Sequence, residues 1–434
     1  MNRLPAKQKF FLRNWPQTML CFIAAAIPLT ISLGNISLIA GFLLALGMMV
    51  KTRIILTRDI WVSFFFPIVF FVWIAVSALF SKDILAGLKQ VDKALLYPII
   101  AIVVFIYHKK SSISLKKVLL IFSILTCLTD LVYIVLGVNS ILSGGGYNKI
   151  FFHGFSKIFD QHAVYAALYS AFSIFILTKY FIIEKVKSSI RIGALVAVVI
   201  LILGLVFTAS KAVIVIFSLL YVFQILFGIK QRVWRISILG ILVGTLFAMS
   251  RVPEISDRFS EGLEFNMKPF KPTNDLANAK VFSNKEKEGI SDLELRYIML
   301  NMGLFHVMDD QAYWFGYGVG DVQHYMDYYY MYYGLAPRWF EGYNLHNQYL
   351  QIFVSMGVLA LLTFLYYLSY SLVKAIRRGD TLHLLFLLSV IFVFIFECLL
   401  SRNKGIVFFF FFNTMFLFNY SSIENRDLRN PRNP

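Results

Sequence analysis

The sequence predicts an all-α protein: a polytopic transmembrane helical bundle of about 12 spans, with one large polar loop containing short helices between spans nine and ten. Three observations predict it. The chain has 434 residues, is 59% hydrophobic and carries 44 Phe, a composition far more apolar than that of a water-soluble domain. Apolar stretches of membrane-crossing length recur from end to end. Basic residues gather in alternate connections between those stretches, as they do in chains that cross a bilayer repeatedly.

The stretches fall at about 17–33, 36–50, 60–80, 94–107, 117–137, 162–182, 192–208, 211–228, 235–250, 346–373, 381–400 and 405–419. Residues 1–250 then carry spans one to nine, 251–345 form the loop, 346–420 carry spans ten to twelve, and 421–434 form a tail. The basic clusters are Arg3/Lys7/Lys9/Arg13, Lys51/Arg53/Arg58, Lys109/Lys110/Lys116/Lys117, Lys179/Lys185/Lys187/Arg191, Lys230/Arg232/Arg235, Lys374/Arg377/Arg378 and Arg426/Arg429/Arg432. The short connections of opposite parity hold fewer: Lys82, Lys89, Lys93, Lys149, Lys157, Lys211, Arg402 and Lys404. The positive-inside rule sets both termini in the cytoplasm and turns the long loop outward, which in a bacterium means the periplasmic or extracellular face. The first span is expected to stay and to serve as the insertion signal, because no convincing cleavage site follows it.

The net charge is +17. Its alternation along the chain assigns it to membrane topology, so no nucleic-acid partner is read from it. Cys21, Cys127 and Cys398 all lie in apolar stretches, without metal-ligand spacing and without a disulfide pattern.

The loop has internal organisation. Its first part, to about Ile290, is polar and Pro-containing and is expected to be mobile. Ser291-Asp292-Leu293-Glu294 reads as a capping box, and Leu295–Val307 has helical apolar spacing, so a short amphipathic helix near the membrane is expected. Gly316-Tyr317-Gly318-Val319-Gly320 lacks the strand–helix context of a nucleotide fold and reads as a turn. An aromatic stretch from Tyr325 to Tyr343 follows, suited either to an interfacial belt or to stacking on sugar rings. A smaller outward connection, about 138–161, holds Gly144-Gly145-Gly146, Lys149, His153 and Lys157.

The block Tyr343-Asn344-Leu345-His346-Asn347-Gln348-Tyr349-Leu350-Gln351 closes the loop and opens a hydrophobic helix. With Asn344 as the cap, His346 would sit in the first turn, where the helix dipole favours the neutral imidazole that a general base needs. The bland alternative is an interfacial His at a helix start. Arg296, Arg258, Arg251 and Lys211 also fall on the outer side, near span ends. Together they would form a basic cluster able to bind a diphosphate; singly they would anchor to lipid headgroups. Asp130 and Glu397 fall within spans, where carboxylates are costly and point to function. Glu397 has Arg402 within reach, Asp130 has no local partner, and either would also suit a proton path. No Walker motif, no Asp-x-Asp pair for a magnesium ion and no metal-site spacing among His306, His324 and His346 occurs, so no cofactor and no metal are read.

Three segments, in order, resemble the O-antigen ligase/polymerase superfamily of bacterial membrane glycosyltransferases. Thr208-Ala209-Ser210-Lys211 resembles its Ser-Arg turn, with Lys211 in the Arg position. Leu295-Arg296, the helix after it and Phe315-Gly316-Tyr317-Gly318-Val319-Gly320 resemble its Arg-helix-Gly-x-Gly block. Leu345-His346-Asn347-Gln348-Tyr349-Leu350 through Gly357 resembles its His-Asn-x-x-Leu block. The resemblance implies metal-independent, inverting transfer of a glycan from undecaprenyl diphosphate to lipid A-core on the periplasmic face of the inner membrane. Under it His346 and Arg296 are catalytic; Lys211, Arg258, Arg296 and Arg251 bind the diphosphate; Asn347, Asp130 and Glu397 support. The single large loop between spans nine and ten favours a ligase. The alternatives are an O-antigen polymerase, a protein O-oligosaccharyltransferase and, in another class, a proton-coupled transporter using Asp130 and Glu397.

Overall fold

The computed structural model describes residues 6–49, 58–145 and 150–429, with side chains described for 14–49, 61–145 and 150–420. Of the residues named above, Arg3, Lys51, Arg53, Gly146, Lys149 and Arg432 lie outside the described part, as do the side chains of Lys7, Lys9, Arg13, Arg58, Arg426 and Arg429. The described chain is all helix and connection: α1 Ala6–Ala26, α2 Ile31–Met49, α3 Arg58–Leu79, α4 Ile84–Ala94, α5 Leu96–Lys110, α6 Leu115–Leu142, α7 Phe152–Ser156, α8 Ala163–Leu177, α9 Ser188–Phe207, α10 Lys211–Gly228, α11 Arg232–Met249, α12 Pro253–Leu263, α13 Asn284–Glu288, α14 Asp292–Asp309, α15 Val322–Tyr332, α16 Gln348–Arg377, α17 Thr381–Val393 and α18 Asn403–Arg429.

Among the described residues, nine helical segments are long and apolar enough to cross a membrane, and α17 is a shorter apolar helix. Every stretch predicted from sequence overlaps a helix, but several ends move. The first pair breaks at a turn after Ala26, so α1 begins earlier and α2 starts at Ile31. The stretch at 94–107 belongs to a longer segment, α4 and α5, interrupted at Leu95. The stretch at 381–400 stays helical only to Val393. There the chain turns, and Gln348 of α16 stitches the turn: its N–H donates to the Phe394 carbonyl at 2.7 Å, and its Oε1 accepts from the Leu400 N–H at 2.7 Å. Backbone left without helical partners is thus satisfied inside the protein, as burial demands.

The bundle centre is set by which helices are apolar all round. Every residue of α8 is buried. The Phe408–Phe412 run of α18 is buried too, and α18 packs chiefly on α5 and α3, while α8 packs on α6 and α9. The helices around them keep lipid-length apolar surface outside: Leu43, Leu219 and Val243 are exposed.

Residues 250–347 fold at one end of this bundle around a second core, which includes Phe270, Phe282, Ile298, Met302, Tyr330, Tyr333 and Leu335. This corrects two expectations. The first part of the loop is not a free linker: Phe270 and Phe282 are buried, and the Asn266 and Met267 N–H groups both donate to Glu294 Oε1 at 2.7 Å. The tyrosine stretch is neither wholly a belt nor wholly a sugar platform, because Tyr329, Tyr330 and Tyr333 are buried in that core. Ser291 and Glu294 do form the capping box at the start of α14.

The glycine turn joins loop to bundle. α16 breaks at Gly357, where φ is +79°. The break frees helix carbonyls, and the turn fills them: Tyr317 N–H donates to the Val354 carbonyl at 2.8 Å and Gly318 N–H to the Ser355 carbonyl at 3.0 Å. In return the Val358 N–H donates to the Tyr313 carbonyl at 2.8 Å. Side chains are excluded at the crossing: a Cβ on Gly357 would lie 2.0 Å from the Trp314 carbonyl oxygen, and one on Gly316 would lie 2.3 Å from the Ser355 carbonyl carbon.

Candidate functional site

The His346 block is held by its own polar side chains. Asn347, not Asn344, caps α16: its Oδ1 accepts from the Leu350 N–H at 3.0 Å. His346 therefore lies outside the helix, in the left-handed region at φ +45°, a conformation that costs a non-glycine residue about 1–3 kcal/mol. Two bonds hold it there. Asn344 Oδ1 accepts from the His346 N–H at 3.0 Å, and Gln351 Oε1 accepts from the Leu345 N–H at 3.2 Å. The sequence reading put His346 in the first helical turn; the cap one residue beyond it overturns that placement.

Glu397 lies in the turn after α17, beyond the helical part of its span, and its neighbours are not those expected. It does not sit in an ion pair with Arg402. Its Oε2 lies 3.6 Å from His346 Nδ1, and its Oε1 lies 4.0 Å from Arg296 Nη2. The carboxyl thus lies between an imidazole and a guanidinium. Arg296 is oriented from both sides, by Nη1 to the Asp292 carbonyl at 2.9 Å and by Nε to the Phe396 carbonyl at 3.3 Å.

Lys211 is the first residue of α10, after a turn in which Ala209 takes φ +46°. A cation is disfavoured at a helix N-terminus and needs an anion. That anion is Asp292, 2.5 Å from Nζ, and Nζ also donates to the Arg258 carbonyl at 3.0 Å. Burial raises the Asp292 carboxyl, but the Lys211 bond and the fields of Lys211, Arg296 and Arg258 bring it below its ordinary range. The Arg258 guanidinium lies 3.4 Å from the centre of the Phe152 ring, a cation–π contact. Lys211, Arg258 and Arg296 are thus brought together, with Asp292 and Glu397 among them. Arg251 is not drawn in: it is exposed and lies over the Phe247 ring at 4.8 Å. Asp130 is buried in α6 and accepts from the Ser170 Oγ at 2.7 Å. No contact joins it to the His346 cluster among the described residues.

Three participants escaped the sequence reading. Asp292 was legible only as part of a capping box, although its spacing of four from Arg296 puts both on one helix face. Phe152 comes from the smaller connection, and His162 immediately follows it. The His153 and His162 rings lie 4.4 Å apart. His162 Nδ1 accepts from the Val164 N–H at 3.4 Å and caps α8. No short motif marks such residues, because they meet the site only through the fold. His306 is explained by the loop core: it stacks on Tyr329 at 3.5 Å and meets the Tyr333 hydroxyl at 2.8 Å. Among the described residues no group of three or more His, Cys, Asp or Glu is placed to hold a metal ion.

Residues 196–365 match the family model described as O-antigen ligase. Over that stretch the chain is similar to the O-antigen ligase family. The match runs from within α9 to within α16, so it takes in Lys211, Arg258, Arg296, the glycine turn and His346. The likeness to the O-antigen ligase/polymerase superfamily therefore rests on a matched domain as well as on three motifs. Members of that family are membrane glycosyltransferase-like enzymes. No curated protein sequence matches the chain.

Proposed function

We propose that this protein is an O-antigen ligase of the bacterial inner membrane. It takes a glycan from undecaprenyl diphosphate on the periplasmic face and transfers it to lipid A-core. The observation that carries the reading is the placement of His346, Arg296 and Glu397 together, in a cluster that also holds Lys211 and Arg258.

His346 takes the proton of the acceptor hydroxyl as that oxygen attacks the anomeric carbon. The glycosidic C–O bond to the diphosphate breaks, the configuration inverts, and the diphosphate leaves with the bonding pair. Glu397 beside Nδ1 orients the ring and stabilises the imidazolium that forms, leaving Nε2 to accept the proton. Lys211, Arg258 and Arg296 neutralise the leaving diphosphate, a preorganised charge that costs no rearrangement during the reaction. Arg296 offers a guanidinium fork and Lys211 a point charge, so their contributions differ in kind. His346 and Arg296 carry the heaviest load.

The test is deletion of the gene, followed by lipopolysaccharide gels and analysis of carrier-linked glycan. Loss of all glycan on lipid A-core, with long polymer accumulating on the carrier, supports the ligase. Cores that still carry a single repeat unit would instead make the protein a polymerase, a reading favoured by the contact of Arg258 with Phe152 of the second loop. An unchanged pattern would overturn both.

A further inference from the structure

An open groove of about 1310 Å³ lies between the turn joining α3 to α4 and the aromatic face of α15. Its walls are mainly ring faces and carboxylates, with Lys82, Ile84 and Leu85 at the α3–α4 turn. Tyr317 and Tyr325 stack at 4.1 Å with their planes 14° apart, and Tyr328 stands 55% exposed. Asp310 Oδ2 accepts from the Tyr317 and Tyr329 hydroxyls, each at 2.6 Å. One carboxylate oxygen thus aligns two rings, and Oδ1 retains lone pairs for a ligand. Across the groove Asp83 faces His324 Nε2 at 3.2 Å.

The groove leads toward the reacting residues. A second cavity of about 300 Å³ is lined by Asn344, Gln348 and Gln351 of the His346 block, and His324 lines both cavities. The two therefore share a wall at His324.

Chemistry narrows the occupant. Asp83, Asp310 and Asp321 line the groove against one lysine, Lys82, and none of Lys211, Arg258 and Arg296 reaches it, so a diphosphate is disfavoured there. The polar rim is unsuited to a lipid chain. Sugar rings fit: their C–H faces lie on aromatic faces and their hydroxyls donate to carboxylates. We propose that this groove is a glycan subsite, holding sugar units remote from the reacting one and giving the protein a preference for longer chains. The proposal rests on the glycan-transfer reading. Binding energy gathered there would support reaction at the distant anomeric carbon.

The experiment is titration of the full-length protein in nanodiscs with two series of lipid-free saccharides, read by calorimetry. One series is O-antigen oligosaccharide of increasing length, the donor's glycan; the other is core oligosaccharide, the acceptor's. One series is expected to bind, more tightly as it lengthens. Tyr328→Ala should weaken that binding about three- to tenfold, the scale of one lost ring contact, while Tyr328→Phe keeps the ring and binds like the wild type. Transfer of the shortest donor should be unchanged in Tyr328→Ala. Failure of both series to bind, or equal binding by wild type and Tyr328→Ala, overturns the groove. Binding is read without turnover, so the two readings fail separately. A protein that transfers glycan but shows no Tyr328 effect overturns the groove alone. One that binds through Tyr328 and transfers nothing supports the groove and overturns the transfer reading.

Discussion

Glu397 Oε2 lies 3.6 Å from Nδ1 of His346. That is longer than a hydrogen bond, and catalytic contacts of this kind commonly tighten when substrate arrives. The carboxylate has two tasks in the proposed reaction: orienting the ring and stabilising the imidazolium as the acceptor proton moves. Glu397→Gln keeps the shape and removes the charge. Transfer in reconstituted membranes should fall about 100-fold in kcat, without a rise in donor KM. A rise in donor KM at constant kcat would show that Glu397 serves substrate binding instead.

Lys211 and Asp292 form the second pair, under α12. A Cβ on Gly262 would fall 1.6 Å from Lys211 Nζ. The ammonium sits at the end of a flexible chain, so Gly262→Ala should displace it rather than unfold the helix. Lys211→Ala and Gly262→Ala are both expected to lower transfer, by about 100-fold for the first, the scale of one lost electrostatic donor, and less for the second. Thermal unfolding of Gly262→Ala should stay close to the wild type. A Gly262→Ala protein with normal transfer would remove Lys211 from the machinery.

Asp292 also sets a pH dependence of stability. Its carboxyl is held below the ordinary range. A group whose folded value is depressed contributes stability above its unfolded value, about 4, and loses it as pH falls through the lower folded value. The unfolding midpoint in detergent should hold from pH 7 to about 5 and decline below 4. Asp292→Asn should start lower at pH 7, and its gap from the wild type should close in acid. A gap that stays constant would mean the Lys211 pair contributes no pH-dependent stability.

Which parts were legible in sequence follows from what each signal depends on. Apolar runs were legible because a span is a local property: each predicted stretch overlaps a helix, and among the described residues nine helical segments are long and apolar enough to cross a membrane. Their ends were not, where a distant residue decides them. Gln348 holds the turn after Val393, and nothing within 381–400 announces it. Arg296 and His346 were legible as chemistry, since such residues at span ends need a reason. Their meeting at Glu397 was not, because three segments far apart in sequence converge there. Asn344 misled for a local reason: two Asn precede α16, either can cap a helix, and Asn347 does so. The tyrosine stretch hid a core because a polar-tipped ring fits an interface and an interior equally.

The joint at Gly357 and Gly316 should be intolerant of any side chain. Both have positive φ, +79° and +71°, and both would drive a Cβ into backbone atoms. Gly357→Ala and Gly316→Ala are each expected to destabilise by about 2 kcal/mol or more, combining strain with lost loop–helix bonds. The loop carrying Arg296 would lose its register against the helix carrying His346, so transfer should fall with stability. Gly342→Ala provides the control: φ there is +76°, but a Cβ meets nothing within 4 Å, so only the strain applies. Equal thermal midpoints for all three would reduce the joint to turn geometry.

Asp130 separates the glycosyltransferase from the transporter. A proton carrier must be able to exchange its proton with water and with partners along a path. Asp130 is instead enclosed: it is 2% exposed, bonded to Ser170 Oγ, and so close to α9 that a Cβ on Gly204 would lie 2.3 Å from its Oδ2. These contacts read as helix packing across α6, α8 and α9. Asp130→Asn preserves the shape and an acceptor for Ser170, and should leave glycan transfer within about twofold of wild type, as conservative changes remote from a site usually do. Gly204→Ala should lower the unfolding midpoint, because neither the backbone of α9 nor the bonded carboxyl can move aside freely. If Asp130→Asn abolished transfer while the protein stayed folded, the acid would belong to a functional path and the transporter reading would regain its footing.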